Sequence, residues 1–230
     1  MDYGGFAATL CESAISSVAL LGQRKDSMQL YYSATSPFVR KCLVTAQELG
    51  LRARIELLPA APHPVNRDPA LVACNPLGKA PALITDDGAV LYDSRVICEY
   101  FNAIGDGQLV PAQGAARWSV LTTQALADGL MDAAVLTRYE TAARPENLRW
   151  SEWVGGQLEK VTCALDELER RGAASSERVD AGSIAVACAL GYFDFRYATL
   201  GWRERSPTTA TWFDAFAQRE SMMATRPPAT

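Results

Sequence analysis

The chain has 230 residues, 49% of them hydrophobic and 21% charged, with a formal net charge of -4 at pH 7. That composition belongs to a globular protein, and the acidic balance argues against a nucleic-acid partner, which needs a basic surface. The six cysteines, Cys11, Cys42, Cys74, Cys98, Cys163 and Cys188, include no Cys-x-x-Cys pair, which argues against a zinc ribbon or disulfide scaffold and for reduced thiols in a cytoplasmic setting.

The apolar run 14–21 is too short to span a bilayer, and the basic pair Arg24-Lys25 follows it, whereas a secretory signal carries its charge ahead of the run. Residues 1–27 are therefore read as an extension that the fold does not use. Residues 29–33 form a short predicted strand. Residues 37–49 form a helix on which Phe38, Val39, Cys42, Leu43, Ala46 and Leu49 keep helical spacing until Gly50 ends it. Residues 52–57 alternate as a half-buried strand does, so the first unit reads strand, helix, strand, with the two strands parallel. Pro59, Pro62, Pro64 and Pro69 argue against a long helix before Asn75. His63, the single histidine, stands in this proline-rich stretch; it cannot supply a metal cluster and is a poor candidate for a general base.

Apolar strands follow at 82–84 and 89–92, joined by the hairpin signal Asp86-Asp87-Gly88. Asp93 or Ser94 caps the next helix, with Val96, Ile97, Tyr100, Phe101 and Ile104 on one side. The glycines and Pro111 between 105 and 114 suit a linker. Beyond it strand signals stop, and 117–139, 148–171, 183–200 and 209–219 read as helices, the third with its start at Asp180. The predicted fold class is α/β plus all-α, with an N-terminal domain at 28–106, a linker at 107–114 and a helical domain at 115–230.

Three segments carry candidate chemistry: Ser36-Pro37-Phe38-Val39-Arg40-Lys41; residues 75–81, Asn-Pro-Leu-Gly-Lys-Ala-Pro; and Asp93-Ser94. Pro37 opens a helix because its missing amide had no partner at that position, and Ser36 caps it. Ser94 puts a second hydroxyl at the head of another helix. Free amides and the helix dipole make both starts anion sites, and two such sites flanking an X-Pro turn fit a thiol peptide. Ser36 reads either as a plain cap or as a donor to a thiolate, in a setting where protein thiols fall from about 8.5 to between roughly 3.5 and 7.5. Thr35, one residue away, is the alternative donor. Asp128 and Asp132, four apart, suit a helix face open to water or to a cleft, and no further ligand accompanies them for a metal. Trp118, Trp150, Trp153, Trp202 and Trp212 read as core packing.

The order of elements and these segments together resemble the cytosolic glutathione transferases over residues 28–228, in particular bacterial transferase-like proteins with a Ser-Pro-Phe-Val-Arg-Lys start. Ser36 matches the active-site serine of the plant tau class and stands where omega-class enzymes carry a cysteine. Residues 75–81 match the turn into the family's cis-proline, with Ala80 in place of the commoner valine; 127–133 and 187–192 look like helices of the second domain. The resemblance implies a thioredoxin-like N-terminal domain, a C-terminal helical-bundle domain and a homodimer.

It implies glutathione as co-substrate, with Ser36 as the catalytic residue that holds the thiolate. Glutathione-binding roles are implied for Ser36, for Ala80 through its backbone, for Ser94 through amide and hydroxyl towards the γ-glutamyl carboxylate, and for Arg67 towards the glycyl carboxylate. Asp93 either faces the ligand ammonium or only caps its helix. No metal and no covalently bound cofactor are implied. The implied reaction is conjugation of the thiolate to a small-molecule electrophile, a detoxification step, in the cytoplasm and without membrane or nucleic-acid partners. A glutathione-dependent disulfide reductase or peroxidase, and a non-catalytic glutathione-binding or regulatory protein, use the same fold.

Overall fold

The computed structural model describes residues 27–172 and 179–228. The predicted extension 1–27, Ser27 apart, and Cys11 within it lie outside the described residues. Four strands, β1 (Met28–Tyr32), β2 (Ile55–Pro59), β3 (Ala82–Ile84) and β4 (Val90–Leu91), make one sheet in the order β2-β1-β3-β4. β1 and β2 are parallel, with Leu30 opposite Leu57; β3 runs antiparallel to β1, with Leu83 opposite Leu30, and β4 antiparallel to β3. A parallel pair needs a crossover, which α1 (Pro37–Glu48) supplies.

Met28 and Leu30, two apart on β1, are both buried, as alternation along a strand requires. They form one core with Val39, Cys42, Leu83, Ile97 and Phe101, contributed by α1, β3 and α3 (Ser94–Ile104). This is the thioredoxin-like β/α unit. Between β2 and β3 lies the short α2 (Pro69–Cys74).

The helical domain holds α4 (Gly114–Ala142), α5 (Ser151–Arg171), α6 (Ala181–Arg196), α7 (Trp202–Arg205), α8 (Pro207–Phe216) and α9 (Glu220–Ala224). Every residue of α6 from Ala181 to Phe193 is buried, the mark of a helix apolar on all sides, and α4 packs on it and on α5. Asp180 starts α6 as the sequence predicts: its carboxylate accepts from the Ser183 amide at 2.8 Å, and Ser183 Oγ accepts from the Asp180 amide at 2.9 Å.

α1 joins the two domains. One side packs on α3, the other on α6, and Val44 belongs to the helical core. Its Arg40 donates to the Met222 carbonyl at 3.0 Å, and its Glu48 holds Arg219 at 2.8 Å and the Ser221 hydroxyl at 2.5 Å, which fastens α9 to the first domain. Among the described residues no helix is long and apolar enough to cross a membrane.

Several elements depart from the sequence reading. Residues 52–54 form a 3-10 turn, so β2 starts only at Ile55. The prolines do exclude a long helix before Asn75, yet Pro69 opens the six-residue α2, because Asp68 caps it by accepting from the Ala70 amide at 3.0 Å. The predicted helix 183–200 ends at Arg196, and a separate 3-10 turn follows. Of the five tryptophans read as core, Trp202 is 2% exposed, but Trp118 is 66% and Trp150 61% exposed. Trp118 lies in the first turns of α4, where most neighbours face solvent, and Trp150 stands ahead of α5, held by its amide to Glu140 at 2.9 Å. Cys42, Cys98 and Cys188 are buried as expected, whereas Cys163 is exposed.

Candidate functional site

Strand register decides what meets at the end of the sheet. Tyr31 of β1 faces Ala82 of β3, and Leu91 of β4 faces Leu83. Antiparallel pairing therefore puts the chain just after β1, just before β3 and just after β4 at one sheet end. Those three stretches are Ser36, Ala80-Pro81 and Asp93-Ser94. The Cys42 thiol, 3.8 Å from the Ser94 carbonyl, shows how closely α1 approaches the first turn of α3.

Ser36 is the N-cap of α1, extended at φ -82° and ψ 120°, with Pro37 in the first turn. Its Oγ accepts from the Val39 amide at 3.3 Å, which leaves the hydroxyl hydrogen free to donate to a ligand. Ser36 is half-buried, whereas Thr35 is exposed and its side chain has no partner among the described residues. The Ala80-Pro81 peptide bond is cis, as the resemblance implies.

The turn ahead of Ala80 is built by Asn75, which is 2% exposed. Its amide nitrogen donates to the Lys79 carbonyl at 2.8 Å, and its Oδ1 accepts from the Leu77 amide at 3.0 Å. Gly78 closes the turn at φ +62°, a conformation that favours glycine. A side chain there would also meet Arg67, whose Nε lies 3.0 Å from where a Cβ would stand. Arg67 thus folds over this turn and donates to the Pro76 carbonyl, leaving it exposed beside the stretch that leads to Ala80.

Asp93 is the N-cap of α3 and accepts from the Arg95 amide at 2.9 Å, while the Arg95 guanidinium reaches its other oxygen at 3.1 Å. Burial pushes the Asp93 carboxyl up, but the Arg95 amide and guanidinium outweigh that and hold its pKa below the ordinary value. Ser94 is 3% exposed. Its amide belongs to the first turn of α3, where backbone donors have no partner inside the helix.

Beneath these groups lies a buried ion pair that the sequence reading missed. Lys41 of α1, 1% exposed, meets Asp128 of α4, 3% exposed, at 2.5 Å. The other Asp128 oxygen has no hydrogen bond; Arg95 Nε stands 3.7 Å away, an ionic contact too long for one. Burial acts to lower the Lys41 pKa, and the neighbouring Cys98 sulfur and the Asp128 carboxylate outweigh it, so the ammonium is held above its ordinary value. Burial pushes Asp128 up, against the pull of Lys41 and Arg95. Asp128 is therefore not on an open face, and the reading that paired it with Asp132 is corrected: only Asp132 is exposed. Lys41 follows Phe38 and precedes Val44 at three-residue spacing, a second stripe on α1 that could have signalled a face turned to another domain.

His63 is occupied structurally: its Nδ1 accepts from the Val65 amide at 3.2 Å and the Asn66 amide at 2.9 Å. Among the described residues no cluster of histidine, cysteine, aspartate or glutamate could hold a metal ion.

Two family models match the chain: the glutathione S-transferase N-terminal domain at residues 35–104 and the C-terminal domain at 133–215. The "Uncharacterized GST-like protein YibF" of Escherichia coli is 35% identical over 205 residues, covering 87% of this chain and 99% of that protein. The crystal structure of a glutathione transferase family member from Pseudomonas fluorescens Pf-5, with bound glutathione, is 47% identical at a TM-score of 0.86, covering 88% of this chain and all of that one. A glutathione S-transferase from Methylobacillus flagellatus, also with glutathione bound, is 37% identical at a TM-score of 0.80, again covering 88% of this chain and all of that one. With both domain models matched in order along one chain, and the fold they imply in place, the protein belongs to the glutathione S-transferase family.

Proposed function

We propose that the protein is a glutathione S-transferase that conjugates the glutathione thiolate to a small electrophile. The observation that carries this reading is the Ser36 hydroxyl, capping α1 at the same sheet end as Ala80 and Ser94. The Ser36 hydrogen donates to the sulfur, and the positive end of α1 favours the thiolate over the thiol. Ala80 offers backbone groups to an extended peptide, as an added strand would use them. The Ser94 amide and hydroxyl take the γ-glutamyl carboxylate, Asp93 faces the ammonium, and Arg67 reaches the glycyl carboxylate. In the reaction the sulfur forms a bond to the electrophilic carbon and the leaving group departs with its electron pair.

A reductase that works through a protein thiol is less well supported, because the site presents a hydroxyl at Ser36 and the neighbouring thiols of Cys42 and Cys98 are both buried. Cys42 is fully buried, and burial pushes its thiol up; burial likewise raises Cys74 to about 11 and Cys188 to about 12. Assay of the purified protein with glutathione against chlorodinitrobenzene, a hydroperoxide and a mixed disulfide tests the reading. Conjugation of the aryl chloride is the expected result. Turnover of only the peroxide or the disulfide would replace the transferase with the reductase or peroxidase reading, and no turnover of any would leave a binding protein.

The same reading includes a homodimer. β4 is an edge of the sheet, and Val90 on β4, Tyr92 just after it and Val96 at the start of α3 are 42%, 37% and 47% exposed. The exposed Trp118 stands on the neighbouring helix, whose Arg117 pairs with Glu99 of α3 at 3.1 Å. A second copy related by a twofold axis covers such a self-complementary apolar face. Light scattering is expected to give twice the chain mass of 24.9 kDa, independent of dilution in the micromolar range. The monomer mass would contradict it.

A further inference from the structure

A second feature opens at Ser36, on the side of α1 away from α3. A cavity of about 380 Å³, within the size range of small-molecule pockets, lies between the end of β1, α1, β2 and the chain just after α9. Its wall carries three guanidinium groups, Arg40, Arg52 and Arg226, together with the hydroxyls of Ser33, Ser36 and Thr225, and among the described residues no aspartate or glutamate lines it.

Among the described residues none of the three arginines has an ion-pair partner. Arg40 donates to the Met222 carbonyl at 3.0 Å and to Thr225 Oγ1 at 3.4 Å, Arg52 donates to the Ile55 carbonyl at 2.9 Å, and the Arg226 side chain has no partner among the described residues. The carboxylate next along α1, Glu48, is taken by Arg219 and Ser221. Nine other arginines of the described chain do pair with carboxylates; of the seven described ones that do not, three gather in this one concave wall. Room for Arg40 is itself built in: a Cβ on Gly191 of α6 would stand 2.3 Å from its Nη1. Arg40 carries the roof of the cavity by holding the segment after α9, while Arg52 and Arg226 keep donors to spare.

We infer that this cavity seats the anionic group of the second substrate, so that the electrophile is a small carboxylate-bearing molecule whose reactive carbon faces Ser36. The inference rests on the transferase reading, which puts the thiolate at Ser36. Guanidinium forks match a carboxylate geometrically, and the absence of any acid in the wall leaves the positive potential uncancelled. The wall includes neither Ala80 nor Ser94, so an anion anchored there does not take the groups assigned to the glutathione backbone.

The test compares para-chloro-meta-nitrobenzoate with the corresponding benzamide, each corrected for its uncatalysed rate with glutathione. In both, sulfur bonds to the ring carbon that carries chlorine, and chloride leaves with the bonding pair. Wild-type protein is expected to prefer the benzoate in kcat/KM. Arg226→Gln and Arg52→Gln are each expected to cut the benzoate-to-benzamide ratio about tenfold, the worth of one hydrogen bond to a charged group. Arg226→Lys is expected to keep most of the preference. A ratio unchanged from wild type in both glutamine variants overturns the inference and leaves the transferase reading standing. Where neither compound is turned over, the chlorodinitrobenzene assay decides the transferase reading, and equilibrium dialysis of the benzoate decides the cavity. Saturable binding weakened by Arg226→Gln supports an anion site, and binding equal in variant and wild type overturns it.

Discussion

Replacing Asp128 with alanine is expected to destabilise the protein by about 3 to 5 kcal/mol, the usual cost of breaking a buried ion pair by removing one partner. Lys41 is 1% exposed and Asp128, at 2.5 Å, helps hold its ammonium charged against burial, so the variant leaves a buried amine that must carry an unpaired charge or give up its proton at a cost. For a chain of this size the loss corresponds to a fall in Tm of roughly 6 to 20 °C. Lys41 sits on α1 and Asp128 on α4, so the damage falls on the junction between the domains. The pair need not be stabilising in itself, because well-packed apolar side chains can replace a buried ion pair at little cost. The double variant Lys41→Met, Asp128→Leu is accordingly expected to recover most of the lost Tm. A Tm unchanged in Asp128→Ala, read by calorimetry, would mean that water reaches this pair in solution.

Ser36→Ala is expected to weaken catalysis much more than binding. The change removes one charge-assisted hydrogen bond to the thiolate, worth about 1.5 to 3 kcal/mol. One pKa unit corresponds to about 1.4 kcal/mol, so the thiol of bound glutathione should rise by about one to two units. At a pH below both pKa values the thiolate fraction then falls about ten- to a hundredfold, and conjugation falls with it; at a pH above the wild-type value the fall is smaller. Glutathione affinity should suffer less, since Ala80, Ser94 and Arg67 hold other parts of the peptide. The lost cap to the Val39 amide adds a stability cost of about 1 kcal/mol, which the melting curve reports separately. Ser36→Cys is expected to move activity towards disulfide exchange, because a thiol at a helix N-terminus is itself a nucleophile.

What the sequence revealed was local. Ser36 before Pro37, Asp93 before Ser94 and Asp180 three residues before Ser183 each announce a helix start within a few residues, and each cap is present in the structure. Strand direction within each linked pair followed from short connections: a helical crossover makes β1 and β2 parallel, and Asp86-Asp87-Gly88 makes β3 and β4 antiparallel. What escaped the reading was long-range. Lys41 and Asp128 are 87 residues apart, and nothing at either position signals that the two charges bury each other. The arginine-lined cavity draws its roof from a segment some 185 residues beyond Arg40, so no window of sequence contains it. Trp118 and Trp150 misled for the same reason: helical spacing names a stripe but not whether another element covers it.

The measurement that bears most directly on the central claim is titration of bound glutathione, following thiolate absorbance in the ultraviolet, with wild type and Ser36→Ala side by side. A thiol pKa well below the free-thiol value of about 8.5 is expected in wild type, with a rise of about one to two units in the variant and glutathione still bound. Identical pKa values in the two proteins would contradict it: Ser36 would then be only a helix cap, and the thiolate would be held by Thr35 or by a backbone amide.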